Sequence, residues 1–357
     1  MLSAIEAAKH SVSLESYIYS PGALGQRFLE HLIRARQRQV RVQVLVDALG
    51  SFGLPSDYWK PLIEIGGEVR WFNPLSLNRL GFRNHRKLLV CDGTIAFVGG
   101  FNIAPEYEGN GINCGWCDLG LRLEGPLVIE LSRSFDEMFA RAGFRHKRFA
   151  RLLKSTAKKT LSVPQEQLLM SGPGRGPSPI KQSLSRDLRR ANSVKIMVAY
   201  FLPSWQLRHQ LMNVVRRGGR VQLLLPGKSD VAVSRLAAQS LYLRLLRNGV
   251  EIYEYQPQIL HAKLFIIDDA VYVGSANLDP RSLNINYELV IRFANRRISE
   301  QARGVFEAAL NHSQRITTER WTSEHSVWRR FKQHWSYFLL VRIDPYVAQR
   351  QWRWMPD

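Results

Sequence analysis

The sequence of 357 residues contains only three cysteines: Cys91, Cys114 and Cys117. This small, odd number excludes a disulfide-stapled scaffold and favours a reducing compartment. Cys114 and Cys117 form a CxxC pair, but a zinc site of that kind needs a second pair, which the chain lacks. We therefore expect ordinary thiols at these positions.

The chain also lacks long apolar runs. No stretch approaches the roughly 18 apolar residues that a membrane-spanning helix needs. No secretory signal pattern follows Met1, so no cleaved leader is expected. If the protein acts at a membrane, these absences predict that it lies on the surface.

Acidic residues are scarce relative to basic ones. The chain has 30 Asp and Glu against 50 Lys and Arg, which gives a formal net charge of +20. Such a charge favours polyanionic partners, either nucleic acid or an anionic membrane surface, without choosing between them. Hydrophobic residues make up 45% of the chain, enough for sizeable globular cores.

The two halves of the chain repeat one order of predicted elements: strand, helix, strand, helix, strand and hairpin. RVQVLVD (41–47) in the first half closely matches RVQLLLP (220–226) in the second. Strands alternating with helices predict an α/β fold, and the tandem repeat predicts two lobes related by pseudo-twofold symmetry. The first half lacks a counterpart of QLLMSG (167–172), a predicted edge strand, and half of the helix that follows it. We therefore expect Met1 to be a truncated or misassigned start.

These patterns predict a first lobe at 1–140, a basic linker at 141–164, a second lobe at 165–300 and a tail at 301–357. Residues 141–160 hold eight Lys and Arg and no acid. That stretch fits either a solvated linker or a contact with an anionic surface.

The tail contains five of the nine tryptophans: Trp321, Trp328, Trp335, Trp352 and Trp354. Apolar residues recur at helical spacing on one predicted face: Val327, Trp328, Phe331, Trp335, Phe338 and Leu339. Basic residues surround this face: Arg329, Arg330, Lys332 and Arg342. A basic, Trp-rich amphipathic helix suits the interface of a bilayer, although the same pattern also fits a helix packed on the lobes.

Two segments carry one motif: HRKLLVCD (85–92) and HAKLFIID (261–268). Alternate residues of a strand share a face, so His85 is predicted to project with Lys87, and His261 with Lys263. Accidental duplication at matching places of a repeat is very improbable, because each motif is also followed by the same residue types.

In each half the motif's aspartate, Asp92 or Asp268, is predicted at the turn of a hairpin, and the return strand ends at Asn102 or Asn277. Each lobe thus supplies an imidazole, an ammonium and an amide. If the lobes meet face to face, one imidazole can attack a phosphodiester and the other can protonate the departing alcohol. The lysines and asparagines can hold the phosphate oxygens, so this chemistry needs no metal.

The repeated motif resembles the HKD motif of the phospholipase D superfamily. NHRKLLVCDGTIAFVGGFNIAPEY (84–107), DLGLRLEGP (118–126) and NLDPRS (277–282) are similar to bacterial cardiolipin synthases of the type without N-terminal transmembrane helices. The resemblance covers residues 5–295. It implies two α/β lobes with the active site at their interface and phosphatidyl transfer through a phosphohistidine, without a cofactor.

The resemblance also implies individual roles. His85 corresponds to the nucleophile and His261 to the general acid, while Glu288 and Asp118 correspond to carboxylates that orient the histidine of the opposite motif. Gly100 departs from the family's usual serine. The motif residues counted as catalytic are His85, Lys87, Asp92, His261, Lys263 and Asp268, with the two aspartates expected to act structurally or in support.

The implied partners are phosphatidylglycerol, with phosphatidylethanolamine as an alternative donor, and the anionic cytoplasmic surface of the cell membrane. Three other functions stay open: a phospholipase D hydrolase with a wetter pocket, a nuclease of the same superfamily, and a non-catalytic polyanion-binding protein. The tryptophan-rich tail and the NLDPRS stretch disfavour a nucleic-acid partner. The two intact motifs disfavour the non-catalytic protein.

Overall fold

The computed structural model describes residues 1–74, 81–142, 158–174, 176–323 and 327–345. The first lobe contains one mixed sheet of six strands: β1 (Ser11–Ser16), β2 (Arg41–Asp47), β3 (Glu68–Phe72), β4 (Leu88–Cys91), β5 (Ile95–Gly99) and β6 (Gly120–Glu124). The second lobe contains a mixed sheet of nine: β7 (Lys159–Val163), β8 (Glu166–Ser171), β9 (Ser193–Val198), β10 (Arg220–Pro226), β11 (Glu251–Tyr255), β12 (Lys263–Ile267), β13 (Ala270–Gly274), β14 (Glu288–Ala294) and β15 (Ser313–Ile316).

Helices cover both sheets. Those of the first lobe are α1 (Leu2–Ala7), α2 (Ala23–Gln37), α3 (Lys60–Glu64), α4 (Pro126–Arg141) and a 3-10 turn (Pro105–Tyr107). Those that follow are α5 (Pro179–Leu188), α6 (Trp205–Arg216), α7 (Ala232–Gln239), α8 (Tyr242–Arg247), α9 (Pro280–Asn284), α10 (Arg296–Leu310), α11 (Thr318–Ser323), α12 (Val327–Phe338) and a π-helical turn (Leu339–Ile343). No helix in the described part of the chain is both long and apolar enough to cross a bilayer.

The strand order confirms the predicted α/β fold of two repeated lobes. The first sheet runs β3-β2-β1-β4-β5-β6, and the second repeats this order as β11-β10-β9-β12-β13-β14. In each sheet the first three strands of this order are parallel, and the first strand of the hairpin is antiparallel to them. The second sheet continues past β14 into β8 and β7, whereas the described first sheet ends at β6.

One hydrophobic cluster joins the two lobes. Leu88 and Val90 of the first hairpin belong to the same buried cluster as Leu264 and Ile266 of the second. Each of these residues is at most 2% exposed. Burying these apolar faces against each other fixes the relative position of the lobes, and with it the two motifs.

The predicted boundaries fall partly on described elements. Residues 143–157 of the predicted linker lie outside the described residues, and β7 lies within the same predicted range, where it pairs with β8. β15 lies within the predicted tail, where it pairs with β11 in the second sheet.

The first strand of each motif hairpin begins later than the sequence pattern predicts. β4 begins at Leu88 and β12 at Lys263, so both motif histidines precede their strands. The reason is that their backbones pair with the other lobe. The amide of His85 donates to the carbonyl of Tyr287, and the amide of His261 donates to the carbonyl of Cys117.

The two motif aspartates sit at the hairpin turns, at the opposite ends of β4 and β12 from the histidines. Both adopt the left-handed conformation, with φ of 53° at Asp92 and 49° at Asp268, which Asp tolerates better than most residues. Asp92 accepts backbone amides from Lys9, His10 and Ser11 at 2.7–2.9 Å. Asp268 likewise accepts amides from Asn192 and Ser193 at 2.8–3.3 Å. These contacts agree with the structural role that the sequence analysis expects for both aspartates.

Asp92→Asn should lower the free energy of unfolding by about 1.5–3 kcal/mol, the range for hydrogen bonds to a charged group. Burial alone would raise the pKa of Asp92, but the three amide donors outweigh it and lower the pKa. The stabilisation is therefore present above the ordinary carboxyl pKa and is lost as the pH falls through the lowered one.

The measurement is urea unfolding of both proteins at pH 7 and under acidic conditions, with Asp136→Asn on the exposed face of α4 as the control. We expect the Asp92 variant to be less stable at pH 7 only. A difference that persists unchanged in acid would show that the carboxylate charge is not what holds the turn.

Candidate active site

The two motif histidines are each held by a carboxylate of the other lobe. Nδ1 of His85 lies 3.0 Å and 3.1 Å from the two carboxylate oxygens of Glu288, the first residue of β14. Nδ1 of His261 lies 2.7 Å from Oδ2 of Asp118, just before β6. The carboxylates are therefore crossed between the lobes, in the pairing that the family resemblance implies.

The segments that supply these carboxylates also hold the backbone of the opposite motif. Tyr287, next to Glu288, accepts the amide of His85 at 3.0 Å and donates its own amide to the carbonyl of Arg83 at 2.9 Å. Cys117, next to Asp118, accepts the amide of His261 at 2.8 Å. Because backbone and side chain are fixed by the same segment, each imidazole has a defined position and orientation.

Both motif lysines are buried, with exposures of 2% for Lys87 and 1% for Lys263. Nζ of Lys87 donates to the carbonyl of His85 at 2.8 Å. Nζ of Lys263 donates to the carbonyl of His261 and lies 2.8 Å from Nδ1 of the same ring. Burial lowers the pKa of Lys87 to about 7 and that of Lys263 to about 8. Each lysine therefore gains or loses its proton near neutral pH.

Burial also shifts the pKa values of the first pair. It raises the pKa of Glu288 to about 8, against the opposing effect of Lys87. Burial, Lys87 and Lys263 hold the pKa of His85 well below its ordinary value. A neutral His85 that donates Nδ1–H to Glu288 presents the lone pair of Nε2, as a nucleophile requires.

The pKa of His261 is set by a different combination of effects. Burial and Lys263 lower its pKa, while Asp118 acts to raise it. An anion that drew Lys263 away from the ring would remove one of the effects that lower this pKa.

The two motif asparagines are held differently. Asn102 accepts the amide of Ile18 at 3.1 Å and donates to the hydroxyl of Tyr107 at 2.7 Å. Asn277 is 2% exposed, and its Oδ1 has no hydrogen-bond partner among the described residues. Both asparagines were predicted to bind phosphate, which requires their side-chain N–H groups, whereas the unpartnered atom of Asn277 is its acceptor oxygen.

Aromatic side chains that the sequence patterns do not single out complete the walls. The ring of Tyr17 meets that of His85 edge-on at 5.0 Å, and Nζ of Lys87 lies 5.1 Å from the centre of the Tyr17 ring. Around His261 the rings of Tyr107 and Trp116 lie at 5.3 Å and 5.4 Å.

Buried ion pairs flank the first motif. Arg83 lies 3.4 Å from Asp47, and Arg86 lies 3.1 Å from Glu15, with all four side chains at most 4% exposed. The second motif has apolar neighbours in the same places, Ile259, which is half-buried, and Ala262, which is fully buried. The loop that carries His85 is therefore fixed by charge as well as by packing.

The structure explains why position 100 is a glycine. Its counterpart Ser275 contacts Glu288 through Oγ. A Cβ added at Gly100 would lie 2.3 Å from Oδ1 of Asp118. The carboxylate of Asp118 thus occupies the space that a side chain at position 100 would need.

The described residues contain no group of three or more His, Cys, Asp and Glu side chains placed to hold a metal ion. The three cysteines are free thiols, with Cys91 buried and Cys114 exposed.

The sequence profile described as "Cardiolipin synthase, PLD-like domain" matches residues 1–114 and 184–310, one segment for each motif. A cardiolipin synthase 1 of Bacillus cereus is 32% identical over 336 residues, covering 90% of this chain and 65% of its own length. The major cardiolipin synthase ClsA of Bacillus subtilis is 32% identical over 353 residues, covering 93% of this chain and 70% of its own length.

Two paired HKD hairpins on repeated α/β lobes define a protein of the phospholipase D superfamily. The chain belongs to the cardiolipin synthase family of PLD-like domains. It spans about two thirds of the length of these curated relatives.

Solved structures support the fold. The phosphatidylserine synthase of Haemophilus influenzae superposes with a TM-score of 0.76 at 13% identity, over 98% of this chain and 92% of its own. A polyphosphate kinase of Porphyromonas gingivalis superposes with a TM-score of 0.61 at 14% identity, over 94% of this chain and 51% of its own. At these identities the similarity concerns the fold alone.

Gly100→Ala should push the carboxylate of Asp118 away from His261. A misplacement of about 1 Å at a reacting group can lower turnover by about 100-fold, so we expect a loss of that order. Turnover of a phosphodiester substrate is the measurement, with thermal unfolding as a check on folding.

Gly304→Ala on α10 is the control, because no atom lies within 4 Å of its added Cβ. If Gly100→Ala keeps full turnover, Asp118 does not need its observed position.

Proposed function

We propose that this chain is a phosphatidyltransferase that makes cardiolipin from phosphatidylglycerol through a phosphohistidine. The observation that best supports this proposal is the crossed pairing of His85 with Glu288 and of His261 with Asp118. This pairing gives two oriented imidazoles beside two buried lysines. The family relationship supports the choice of phospholipids as substrates.

In the first step, Nε2 of His85 attacks the phosphorus of a phospholipid. The P–N bond forms while the bond from phosphorus to the headgroup oxygen breaks. His261 donates a proton to that oxygen, and the headgroup leaves as a neutral alcohol. The product on the protein is a phosphatidyl group attached to His85.

In the second step, the hydroxyl of a phosphatidylglycerol headgroup attacks the same phosphorus. His261 takes its proton, the new P–O bond forms, and the P–N bond to His85 breaks. The product is a phospholipid with two phosphatidyl groups on one glycerol. Phosphatidylethanolamine fits the first step equally well as a donor.

The charges of the two buried lysines support this two-step transfer. A bound phosphodiester anion stabilises the ammonium forms of Lys87 and Lys263, whose pKa values of about 7 and about 8 lie close to neutrality. Two ammonium groups beside the phosphate then stabilise the negative charge that builds up in the transition state. The amide of Asn277 provides a further contact.

A phospholipase D hydrolase is the nearest alternative, since the same residues would serve it. The difference is whether water or an alcohol reaches the phosphohistidine. Incubating the protein with labelled phosphatidylglycerol vesicles and resolving the lipid products distinguishes the transferase from the hydrolase. Cardiolipin supports the transferase, and phosphatidic acid alone supports the hydrolase.

His85→Asn should abolish both turnover and the covalent adduct, because no nucleophile remains. His261→Asn should slow breakdown of the adduct, because the alcohol of the second step loses its base. The measurement is acid-labile, base-stable phosphate on the protein after a rapid quench.

Asn311→Ala at the end of α10 serves as a control that should behave like the unmodified protein. An adduct that forms on His85→Asn but not on His261→Asn would reverse the two roles.

We further propose that the protein attaches peripherally to an anionic membrane through α12 and the turn after it. Aromatic side chains on this helix face outward, with exposures of 65% for Trp328, 58% for Phe331, 55% for Trp335 and 46% for Phe338. The exposed Lys332 lies beside this face, with Nζ 5.6 Å from the centre of the Trp328 ring. Aromatic rings and cations in this arrangement suit the headgroup boundary of a bilayer.

The inward side of the same helix is only partly apolar, with Tyr337 packed against the core of the second lobe. Gln333 and Ser336 are 2% and 6% exposed, and Gln333 reaches Gln239 on α7 at 3.5 Å. A helix that buries amides and exposes tryptophans is inverted relative to an ordinary surface helix. The apolar face therefore supports a lipid contact rather than packing on the lobes.

Trp321 does not share the exposure of the other described tail tryptophans. It is 8% exposed, and its ring packs against Tyr242 at 4.7 Å within the second lobe's core. Trp352 and Trp354 lie outside the described residues, as do the side chains of Arg329 and Arg330. A deletion that begins at Trp321 would therefore damage the core, and substitutions on α12 are the cleaner test.

Replacing Trp328, Phe331 and Trp335 together by Gln should weaken binding to anionic vesicles by at least about tenfold, equivalent to 1.4 kcal/mol. The remaining binding should become more sensitive to salt, because its apolar part is lost. Co-sedimentation at low and high salt measures both effects.

The control is Ile129→Gln on α4, an exposed apolar residue of the first lobe. Circular dichroism of both variants checks folding. Vesicle binding equal to that of the unmodified chain would exclude α12 as the anchor.

A further inference from the structure

One wall of the site carries a pair of polar side chains that the mechanism does not use. Tyr200 follows β9, and its carbonyl accepts the amide of Leu278, next to Asn277, at 3.2 Å. The antiparallel register of β9 with β12 pairs Val198 with Lys263, which brings Tyr200 alongside His261. The hydroxyl of Tyr200 donates to Oδ2 of Asp230 at 2.7 Å.

The first lobe has no such pair at the equivalent places. Ile18 takes the place of Tyr200, since its carbonyl accepts the amide of Ile103 at 3.1 Å in the same way. Ser51 takes the place of Asp230, ten residues after the arginine that opens the preceding strand in each lobe. Ser51 is buried and accepts the amide of Tyr19 at 2.9 Å. The carboxylate therefore breaks the pseudo-symmetry of the site on the His261 side.

Asp230 is exposed and forms no ion pair with a described Lys or Arg side chain within 4.0 Å. It nevertheless acts on the site. Burial lowers the pKa of Lys263 to about 8, and Asp230 is among the carboxylates that raise it. Asp230 also contributes to raising the pKa of Tyr107, after burial and Asp118, and the Tyr107 ring lies 5.3 Å from that of His261.

A phospholipid presents two unlike groups on either side of its phosphate. One is the apolar diacylglycerol, and the other is the polar headgroup, whose oxygen His261 protonates in the proposed mechanism. An exposed carboxylate repels the phosphate itself but accepts hydrogen bonds from hydroxyl groups. A carboxylate on the His261 side therefore matches the headgroup.

We propose that Asp230, oriented by Tyr200, forms a headgroup subsite that accepts hydrogen bonds from the hydroxyl groups of a polyol headgroup. The subsite rests on the proposed phosphatidyl transfer, since it positions the alcohol that leaves and the alcohol that attacks. It would favour glycerol headgroups over alcohols that lack neighbouring hydroxyls. An ammonium headgroup also carries hydrogen-bond donors. The test must therefore separate recognition of hydroxyl groups from recognition of an ammonium group.

The test is a competition between acceptor alcohols. The whole protein is given a phosphatidyl donor with glycerol and 1-propanol together, and the ratio of phosphatidylglycerol to phosphatidylpropanol is measured. A product ratio does not depend on the amount of folded protein. A parallel arm replaces glycerol by ethanolamine.

Asp230→Asn should lower the preference for glycerol over propanol by at least about tenfold, the scale of a hydrogen bond to a charged group. Tyr200→Phe should lower it less, because the carboxylate remains but loses its orientation. Asp269→Asn, at the turn on the opposite end of β12 and paired with Arg303, should leave the ratio unchanged.

The outcomes are distinct. An unchanged glycerol ratio in Asp230→Asn overturns the subsite while the transferase stands. Loss of preference for ethanolamine alone also overturns it, since the carboxylate would then recognise charge. If the unmodified protein transfers to neither alcohol, the proposed function itself fails, and the subsite with it.

Discussion

The site depends on one constraint: each motif imidazole takes its carboxylate and its backbone partner from the opposite lobe. Glu288 and Tyr287 fix His85, while Asp118 and Cys117 fix His261. Neither half of the chain can orient its own histidine, so the repeated lobes form a single site only when their apolar hairpin faces are packed together. The hydrophobic cluster across the interface therefore holds the two histidines in position as well as stabilising the fold.

Asymmetry within this near-symmetric frame separates the roles of the two halves. Buried ion pairs hold the loop of His85, whereas apolar residues hold that of His261. Ser275 supports Glu288, whereas Gly100 leaves room for the shorter Asp118. An exposed carboxylate, Asp230, stands on one side only. These differences support the proposed nucleophile on one side and the proposed proton donor, with a polar headgroup, on the other.

Much of this could be predicted from the sequence, because repetition identifies both the fold and the motifs. The repeated strand order, both histidine–lysine pairs and the strand-to-helix alternation follow from periodicity. The edge strand β15 could not be predicted, because its polar sequence SQRI has little strand signal and forms only by pairing with β11. The late start of each motif strand could not be predicted either, because it depends on backbone hydrogen bonds to the other lobe. Trp321 shared the composition of the tail but lies in the core, a difference that only packing decides.

The central claim is that burial and the two motif lysines keep His85 neutral, while pairing with Glu288 across the lobes places its proton on Nδ1. Nitrogen-15 NMR of labelled histidines at pH 7, assigned by comparison with His85→Asn, tests this directly. We expect Nδ1 of His85 to carry the proton and Nε2 to be unprotonated, and Glu288→Ala to remove this preference. An imidazolium at His85, or a proton on Nε2 in the unmodified protein, would contradict the account.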